Sequence, residues 1–256
     1  MKVAKRRQAM LNAVLSGMTE VETLCAHFGI SEATVRRDLT ALAGDGLIVR
    51  TYGGAAAHIG TREPELTLEQ RRSQQSEAKA AIARAALAHI EDNDTLLLDG
   101  GTTTATLARL LVERRGLHVV TNNLIALPAL AALRDGQVTV LGGNMRASSM
   151  TTYGPGAHAA LARLSVDKIF LSADGVVADL GLCEASADQA YLKEAMLQHA
   201  AQAFVLADAT KLGRARQQHW TPLPSVWTLI TDAHADATHL AAFQTRPSVK
   251  IEIGIL

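Results

Sequence analysis

From residue 77 onward, apolar runs of five to seven residues alternate with stretches in which apolar side chains recur every three or four positions. The runs, rich in Val, Leu and Ile, predict strands near 95–99, 117–121, 137–142, 167–173, 202–207 and 226–230. The periodic stretches predict helices near 77–90, 103–114, 123–134, 155–163, 187–200 and 236–243. Strands that are apolar throughout and alternate with helices imply a mostly parallel sheet covered on both faces, an α/β fold for residues 77–256.

Residues 1–57 have a different rhythm. Leu11, Val14 and Leu15 give a first helix one apolar face, and Lys5, Arg6 and Arg7 lie at its exposed start. Val21, Leu24, Cys25 and Phe28 mark a second helix that stops at Gly29. Ser31 is an N-cap for a third, whose buried stripe is Val35, Leu39 and Leu42 at i, i+4 and i+7. Helix, glycine turn, helix is a helix-turn-helix pattern, and "GLIVRTYGGAAA" after it reads as a wing turning at Gly53 and Gly54. With the stripe inward, Ser31, Glu32, Ala33, Thr34, Arg36 and Arg37 remain at the exposed helix start, where a recognition helix meets base edges. Arg50 and Tyr52 of the wing, with Arg6 and Arg7, are candidate backbone or minor-groove contacts. Asp38 is unsuited to phosphates and is expected to orient Arg37 or a neighbouring Arg. Residues 58–76, "HIGTREPELTLEQRRSQQS", read as a linker that becomes helical after Pro64.

Charge modifies this picture only locally. Lys and Arg balance Asp and Glu at 25 each over 256 residues, so the whole molecule has no field toward nucleic acid or an anionic surface. Residues 1–58 hold seven Lys/Arg against five Asp/Glu, a small basic excess at the end predicted to meet DNA. Gln8 and Asn12 interrupt what a signal peptide would need as an apolar core, and later apolar runs are too short to span a bilayer. Cys25 and Cys183 form no paired motif, which favours a reducing, cytoplasmic setting. Among the nine His, the pair closest in sequence, His234 and His239, is five apart rather than three or four, so no metal site and no cofactor is expected.

The candidate chemistry of the α/β part sits at strand ends. In "LLLDGGTTT" an apolar strand closes at Asp99; Gly100 and Gly101 permit close backbone approach, and Thr102, Thr103 and Thr104 open a helix. A helix N-terminus attracts phosphate through unpaired N–H groups and its dipole, and open α/β sheets bind ligands at the carboxyl ends of their strands. Small or polar residues recur at the other strand ends: Thr121, Asn122 and Asn123; Gly142 and Gly143; Tyr153 and Gly154; Asp174 and Gly175; Asp208. Lys193 and Lys211 are the cations expected to neutralise a phosphate there, a surface salt bridge being the plainer role, more so for Lys193.

The stretch "ISEATVRRDLTALAGDGLIVRTYGGA" closely resembles the signature of the DeoR family of bacterial transcription regulators, carried by Thr34, Val35, Arg36, Arg37, Asp38, Leu39, Gly53, Gly54 and Ala55. The ordered motifs Asp-x-Gly-Thr-Thr, Thr-Asn-Asn, Leu-Gly-Gly, Gly-Pro, Ala-Asp-Gly and Ala-Asp-x-x-Lys extend the resemblance to that family's effector domain. It implies a fold similar to ribose-5-phosphate isomerase and a response to a phosphorylated sugar. Three departures stand out: the short "SGMT" connection after the first helix, Gly100 where the family commonly has Ser, and Asp188 and Gln189 where acidic residues commonly precede the Lys.

The expected function is therefore a repressor of a carbohydrate operon, not an enzyme, that binds operator DNA as a homodimer or homotetramer and is released by a phosphorylated sugar. Two alternatives stay open. A phosphosugar isomerase with an accessory DNA-binding head would draw its base from Asp99, Asp174, Glu184 or Asp208. An architectural DNA binder would use the strand-end loops only as turns.

Overall fold

A computed structural model describes residues 3–15, 18–44, 48–51, 54–57 and 64–255. Three helices, α1 (Val3–Leu15), α2 (Val21–Phe28) and α3 (Glu32–Gly44), precede a two-stranded antiparallel ribbon of β1 (Ile48–Thr51) and β2 (Gly54–Ala57). Val35, Leu39 and Leu42 of α3 meet Met10 and Val14 of α1 and Leu24 of α2 in one buried cluster. Each such side chain contributes roughly 1.5–3 kcal/mol when fully withdrawn from water. Gly29 ends α2 in the left-handed region, φ 62°, with its N–H donating to the Cys25 carbonyl, and this turn sets α3 across α2. The ribbon folds back on the chain before α2, where Ala55 N donates to the Thr19 carbonyl at 2.9 Å. A Cβ on Gly54 would run into that carbonyl oxygen, so the approach requires glycine.

The second unit starts inside the expected linker. Thr67 and Gln70 form a capping box that starts α4 (Leu68–Ser73), and α5 (Ser76–Leu87) follows. Then come β3 (Thr95–Leu98), α6 (Thr102–Leu110), β4 (His118–Thr121), α7 (Leu127–Leu130), β5 (Gln137–Val140), β6 (Asn144–Arg146), β7 (Thr151–Tyr153), α8 (Pro155–Leu161), β8 (Val166–Leu171), β9 (Gly175–Val177), β10 (Gly181–Glu184), α9 (Ala187–Gln198), β11 (Ala200–Leu206), β12 (His219–Thr221), β13 (Trp227–Asp232), α10 (Ala237–Gln244) and β14 (Val249–Gly254). The seven-stranded sheet has the order β14-β13-β11-β8-β3-β4-β5, with every neighbouring pair parallel. Leu96 and Leu98 of β3 face a layer with α5 and α6, while Leu97 faces the layer of α8, α9 and α10. This alternation is why the strand reads as continuously apolar. Trp227 is buried in the second layer, and Trp220 rests on a small cluster with Val177 and Ala215. Ala241 of α10 packs against the core of the N-terminal unit.

One expected helix is much shorter, and three features were not expected. The helix expected over 123–134 is the single turn α7, because Pro128 sits at its start and Leu124 N is already committed to the Met150 carbonyl. The edge strand β14 has its Val249, Ile251 and Ile253 in alternation but was not expected. Neither was the β6–β7 hairpin or the antiparallel β9–β10–β12 sheet, whose strands are three or four residues long. Such lengths carry too few positions for periodicity to register.

Candidate functional site

In the N-terminal unit Ser31, Glu32, Ala33, Arg36 and Arg37 are exposed along the start of α3, and Thr34 is half-buried. Ser31 Oγ lies 3.0 Å from Thr34 Oγ1, while its carbonyl accepts from Thr34 N and Val35 N. Arg36 is steadied by Glu32 one turn earlier, at 2.7 Å, and Arg37 has no ion pair among the described residues. Asp38 is a correction. It is buried, and its two carboxylate oxygens accept from Arg6 Nε at 2.6 Å and Arg7 Nε at 3.0 Å, so it clamps α1 to α3 and orients neither Arg37 nor Arg36. Burial opposes its ionisation, but the hydrogen bonds and charges of Arg6 and Arg7 outweigh that and hold the carboxyl below its ordinary value. Arg6 and Arg7 are thus half-buried partners of Asp38 rather than free ends. Tyr52 and Gly53 lie outside the described residues, as does the side chain of Arg50.

In the sheet, β4 and β5 lie on one side of β3 and β8 on the other, so the chain reverses direction of growth between β3 and β8. A crevice opens beyond the carboxyl ends of such neighbours. A cavity, partly open to solvent, lies there. Of the expected residues it is lined by Gly100, Gly101, Thr102, Thr103, Asp174, Lys193, Asp208 and Lys211. The start of α6 faces it with no side-chain cap, and the first intrahelical backbone bond is Ala105 N to the Gly101 carbonyl. The N–H groups before it are the donors a helix N-terminus offers to an anion.

Residues behind the loop hold its carbonyls. Thr104 Oγ1 donates to the Asp99 carbonyl at 2.7 Å, Asn123 Nδ2 lies 2.9 Å from the Gly101 carbonyl, and Ser172 Oγ donates to the Gly100 carbonyl at 2.8 Å. Thr121 Oγ1 donates to Leu98 O, and Asn122 Nδ2 to Thr152 O. Thr104, Thr121, Asn122 and Asn123 therefore support the loop from beneath instead of lining the cavity. Gly142, Gly143, Tyr153 and Gly154 form the β6–β7 hairpin and its approach, and Gly175 packs against the Arg214 carbonyl; none of these five is brought to the cavity wall.

Lys193 is buried, contrary to a surface role. Its Nζ sits 2.7 Å from Asp99 Oδ2 and 2.5 Å from Glu184 Oε1, and it also donates to the Ser172 carbonyl. One ammonium between two buried carboxylates cannot neutralise both. Burial pushes the Glu184 carboxyl up to about 8, with Asp174 and Asp99 adding to the shift and Lys193 opposing it. Burial also raises Asp99 against the pull of Lys193. The two carboxylates keep Lys193 charged despite its own burial. The opposite wall is basic. Lys79, Lys211, Arg71 and Arg214 line it, and burial lowers the ammonium groups of both Lys79 and Lys211, with Asp208 partly restoring each and Arg71 repelling each. The cavity thus has a cationic wall next to the uncapped start of α6 and carboxylates at Asp174 and Glu184, while Asp99, expected to line it, lies buried behind Lys193.

Arg71, Gln74, Gln75 and Lys79 were not expected, since they come from the supposed linker and the helix after it. Their only sequence signal was a basic, Gln-rich stretch, which reads equally as a solvated surface. Gln189, which departs from the family pattern, also lines the cavity. Among the described residues no group of three His, Cys, Asp or Glu is placed to hold a metal ion, and no helix is long and apolar enough to cross a membrane.

A winged helix-turn-helix head joined to an α/β unit with a polar cavity defines a DNA-binding transcription regulator with a separate sensor domain. The chain belongs to the DeoR family: residues 6–59 match the DeoR-like helix-turn-helix domain and residues 74–233 match the DeoR C terminal sensor domain. It is 34% identical over 238 residues to the HTH-type transcriptional regulator GlpR of Haloferax volcanii, covering 91% of each chain. It is 29% identical over 234 residues to the glycerol-3-phosphate regulon repressor of Escherichia coli, covering 91% of this chain and 92% of that one. Among solved structures it is similar to a D-ribose-5-phosphate isomerase in complex with phospho-erythronic acid, at 22% identity over 53% of each chain and a TM-score of 0.39, a likeness too loose to carry an argument about chemistry.

Proposed function

We propose that the protein represses a carbohydrate operon and that a phosphorylated sugar or sugar derivative, bound in the cavity, releases it from operator DNA. The head spans residues 1–57 and the sensor 77–256, joined by 58–76, whose α4 end packs onto the sensor and lines its cavity. The observation that carries the reading is the pairing of the uncapped start of α6 with the cationic wall: donors and positive charge converge where a phosphate would sit, and carboxylates face the hydroxyl-bearing end. The named repressor of the glycerol-3-phosphate regulon among the relatives supports a ligand of this class. The protein acts in the cytoplasm as a homo-oligomer, because one head buries too little DNA surface for useful affinity and two heads on one assembly gain from effective concentration.

A gel shift on the DNA upstream of the protein's own coding region, titrated with glycerol 3-phosphate, ribose 5-phosphate and fructose 6-phosphate, tests the reading. Release by one compound and not by its unphosphorylated parent is expected; binding insensitive to the whole set would refute it. The protein is not an enzyme on this reading. The buried Asp99–Lys193–Glu184 group is the feature that favours a second one, since a carboxyl near neutrality beside a cavity suits proton transfer. Aldose–ketose interconversion abolished by Asp174→Asn would establish that alternative.

A further inference from the structure

The donors that hold α4 in place are the donors an anion in the cavity would claim. Thr102 Oγ1, on the first residue of α6, donates to the Arg71 carbonyl at 3.3 Å. Lys79 Nζ donates to the same carbonyl and, at 2.5 Å, to that of Gln74, so the two donors anchor the end of α4 from the cavity side. The Arg71 guanidinium is engaged only in part. It donates to the Ser148 carbonyl at 2.7 Å and lies 3.6 Å from Glu65, while its buried Nε has no partner. Glu65 in turn is held by Arg146 in a two-pronged pair, at 2.8 and 2.5 Å, which fastens the chain between the head and α4 onto β6.

We propose that Arg71 and Lys79 are phosphate contacts of the effector site, and that a phosphate bound at the start of α6 draws Thr102 and Lys79 off the Arg71 and Gln74 carbonyls and the Arg71 side chain off the Ser148 carbonyl, and so loosens the segment leading to the DNA-binding head. The assignment rests on the reading of the cavity as a phosphorylated-effector site. Three features support it on geometry. Both side chains line the cavity, they flank the start of α6, which opens onto it without a side-chain cap, and the hydrogen bonds they donate go to neutral backbone carbonyls that a phosphate would outcompete. Mutual repulsion between Lys79, Lys211 and Arg71 is a further source of affinity, because an anion placed among them relieves it.

The test uses the full-length protein with glycerol 3-phosphate, ribose 5-phosphate and fructose 6-phosphate as probes, and inorganic phosphate as the minimal anion. Calorimetry on the wild type, Arg71→Gln and Lys79→Met reads binding, and trypsin cleavage after Arg71 and Arg72 reads loosening of α4. Each variant is expected to weaken binding of the active sugar phosphate by on the order of tenfold, and that compound is expected to accelerate cleavage in the wild type. Glu65→Gln, outside the cavity lining, is expected to act in the opposite sense: by freeing Arg71 it tightens sugar-phosphate binding, on the order of tenfold. Wild-type binding that persists undiminished in both Arg71→Gln and Lys79→Met overturns this inference and leaves the phosphosugar reading intact. Undiminished protection of α4 in the presence of a bound sugar phosphate overturns the relay. Failure of every probe to bind the wild type overturns the reading beneath both.

Discussion

Gly100→Ser restores the residue common in the family and is predicted to destabilise this protein. A Cβ at Gly100 would overlap Cγ2 of Thr151 and come within 3.8 Å of Asn122 Nδ2. Thr151 cannot yield: it is fully buried, its Oγ1 lies 2.8 Å from Ser149 Oγ, its backbone bridges Asn123, and a β-branched side chain has few rotamers to choose from. Overpacking of this kind costs about 1–3 kcal/mol. At about 2–4 °C per kcal/mol for a domain of this size, the sensor transition should fall by about 2–12 °C. Thr151→Ser removes the offending methyl, keeps the hydroxyl, and alone costs about 1 kcal/mol. In the double variant the two costs should not add, because each change makes room for the other; a coupling of about 0.5–3 kcal/mol is expected. Scanning calorimetry, which separates sensor from head, measures all four corners of the cycle. A double variant whose loss equals the sum of the singles would refute the steric account of Gly100.

Further outcomes follow from the head and the buried carboxyl. Arg36→Ala and Arg37→Ala are each expected to weaken specific operator binding by about 1–3 kcal/mol in a gel shift, and unchanged affinity in both would remove α3 from the reading role. Asp38→Asn, which keeps the shape but leaves Arg6 and Arg7 without their anion, should destabilise the head by about 1–3 kcal/mol, less than for a fully buried pair because both arginines reach solvent. Since the folded state depresses this carboxyl, its stabilisation is present above the ordinary carboxylate range and lost as pH falls through the lower folded value; acid melts of the Asn variant should lack that component. Glu184 has the opposite sign. Its folded value of about 8 lies above the ordinary 4.5, so the folded state binds the proton more tightly and stability falls as pH rises between the two. Glu184→Gln should flatten that decline, and thermal melts of both proteins with the same slope across this window would contradict it.

Much of this was legible in the chain, and the gaps have physical causes. The stripe Val35, Leu39 and Leu42 and the run Leu96 to Leu98 were visible because burial imposes a period of 3.6 on a helix and continuous apolarity on a two-faced strand. The loop of Gly100 to Thr103 was visible because a turn into a helix end uses recognisable residues. What periodicity could not reach was partnership between distant segments. Nothing local marks Asp38 as the anion of Arg6 and Arg7, 32 and 31 residues away, or Lys193 as shared by Asp99 and Glu184. Arg71 and Lys79 were hidden for the same reason: an exposed-looking basic helix becomes a cavity wall only when the sheet supplies the other side.

The magnitude of the exchange at α4 bears on whether it can operate as a switch. Moving an equilibrium from 1:99 to 99:1 takes about 5.5 kcal/mol of preference for one state. Hydrogen bonds to neutral acceptors are worth about 0.5–1.5 kcal/mol net and those to charged acceptors about 1.5–3 kcal/mol. Three donors, from Thr102, Lys79 and Arg71, exchanging carbonyls for a phosphate therefore gain roughly 1–1.5 kcal/mol each, about 3–5 kcal/mol together. That is most of a full switch and less than all of it. Lys211 lines the cavity but makes none of the bonds that hold α4, so on this relay it adds affinity without adding preference, and a ligand held equally well in both states shifts nothing. Loss of Lys211 should consequently lower sugar-phosphate affinity while leaving the ratio of DNA affinities with and without saturating ligand unchanged, whereas loss of Lys79 should reduce both.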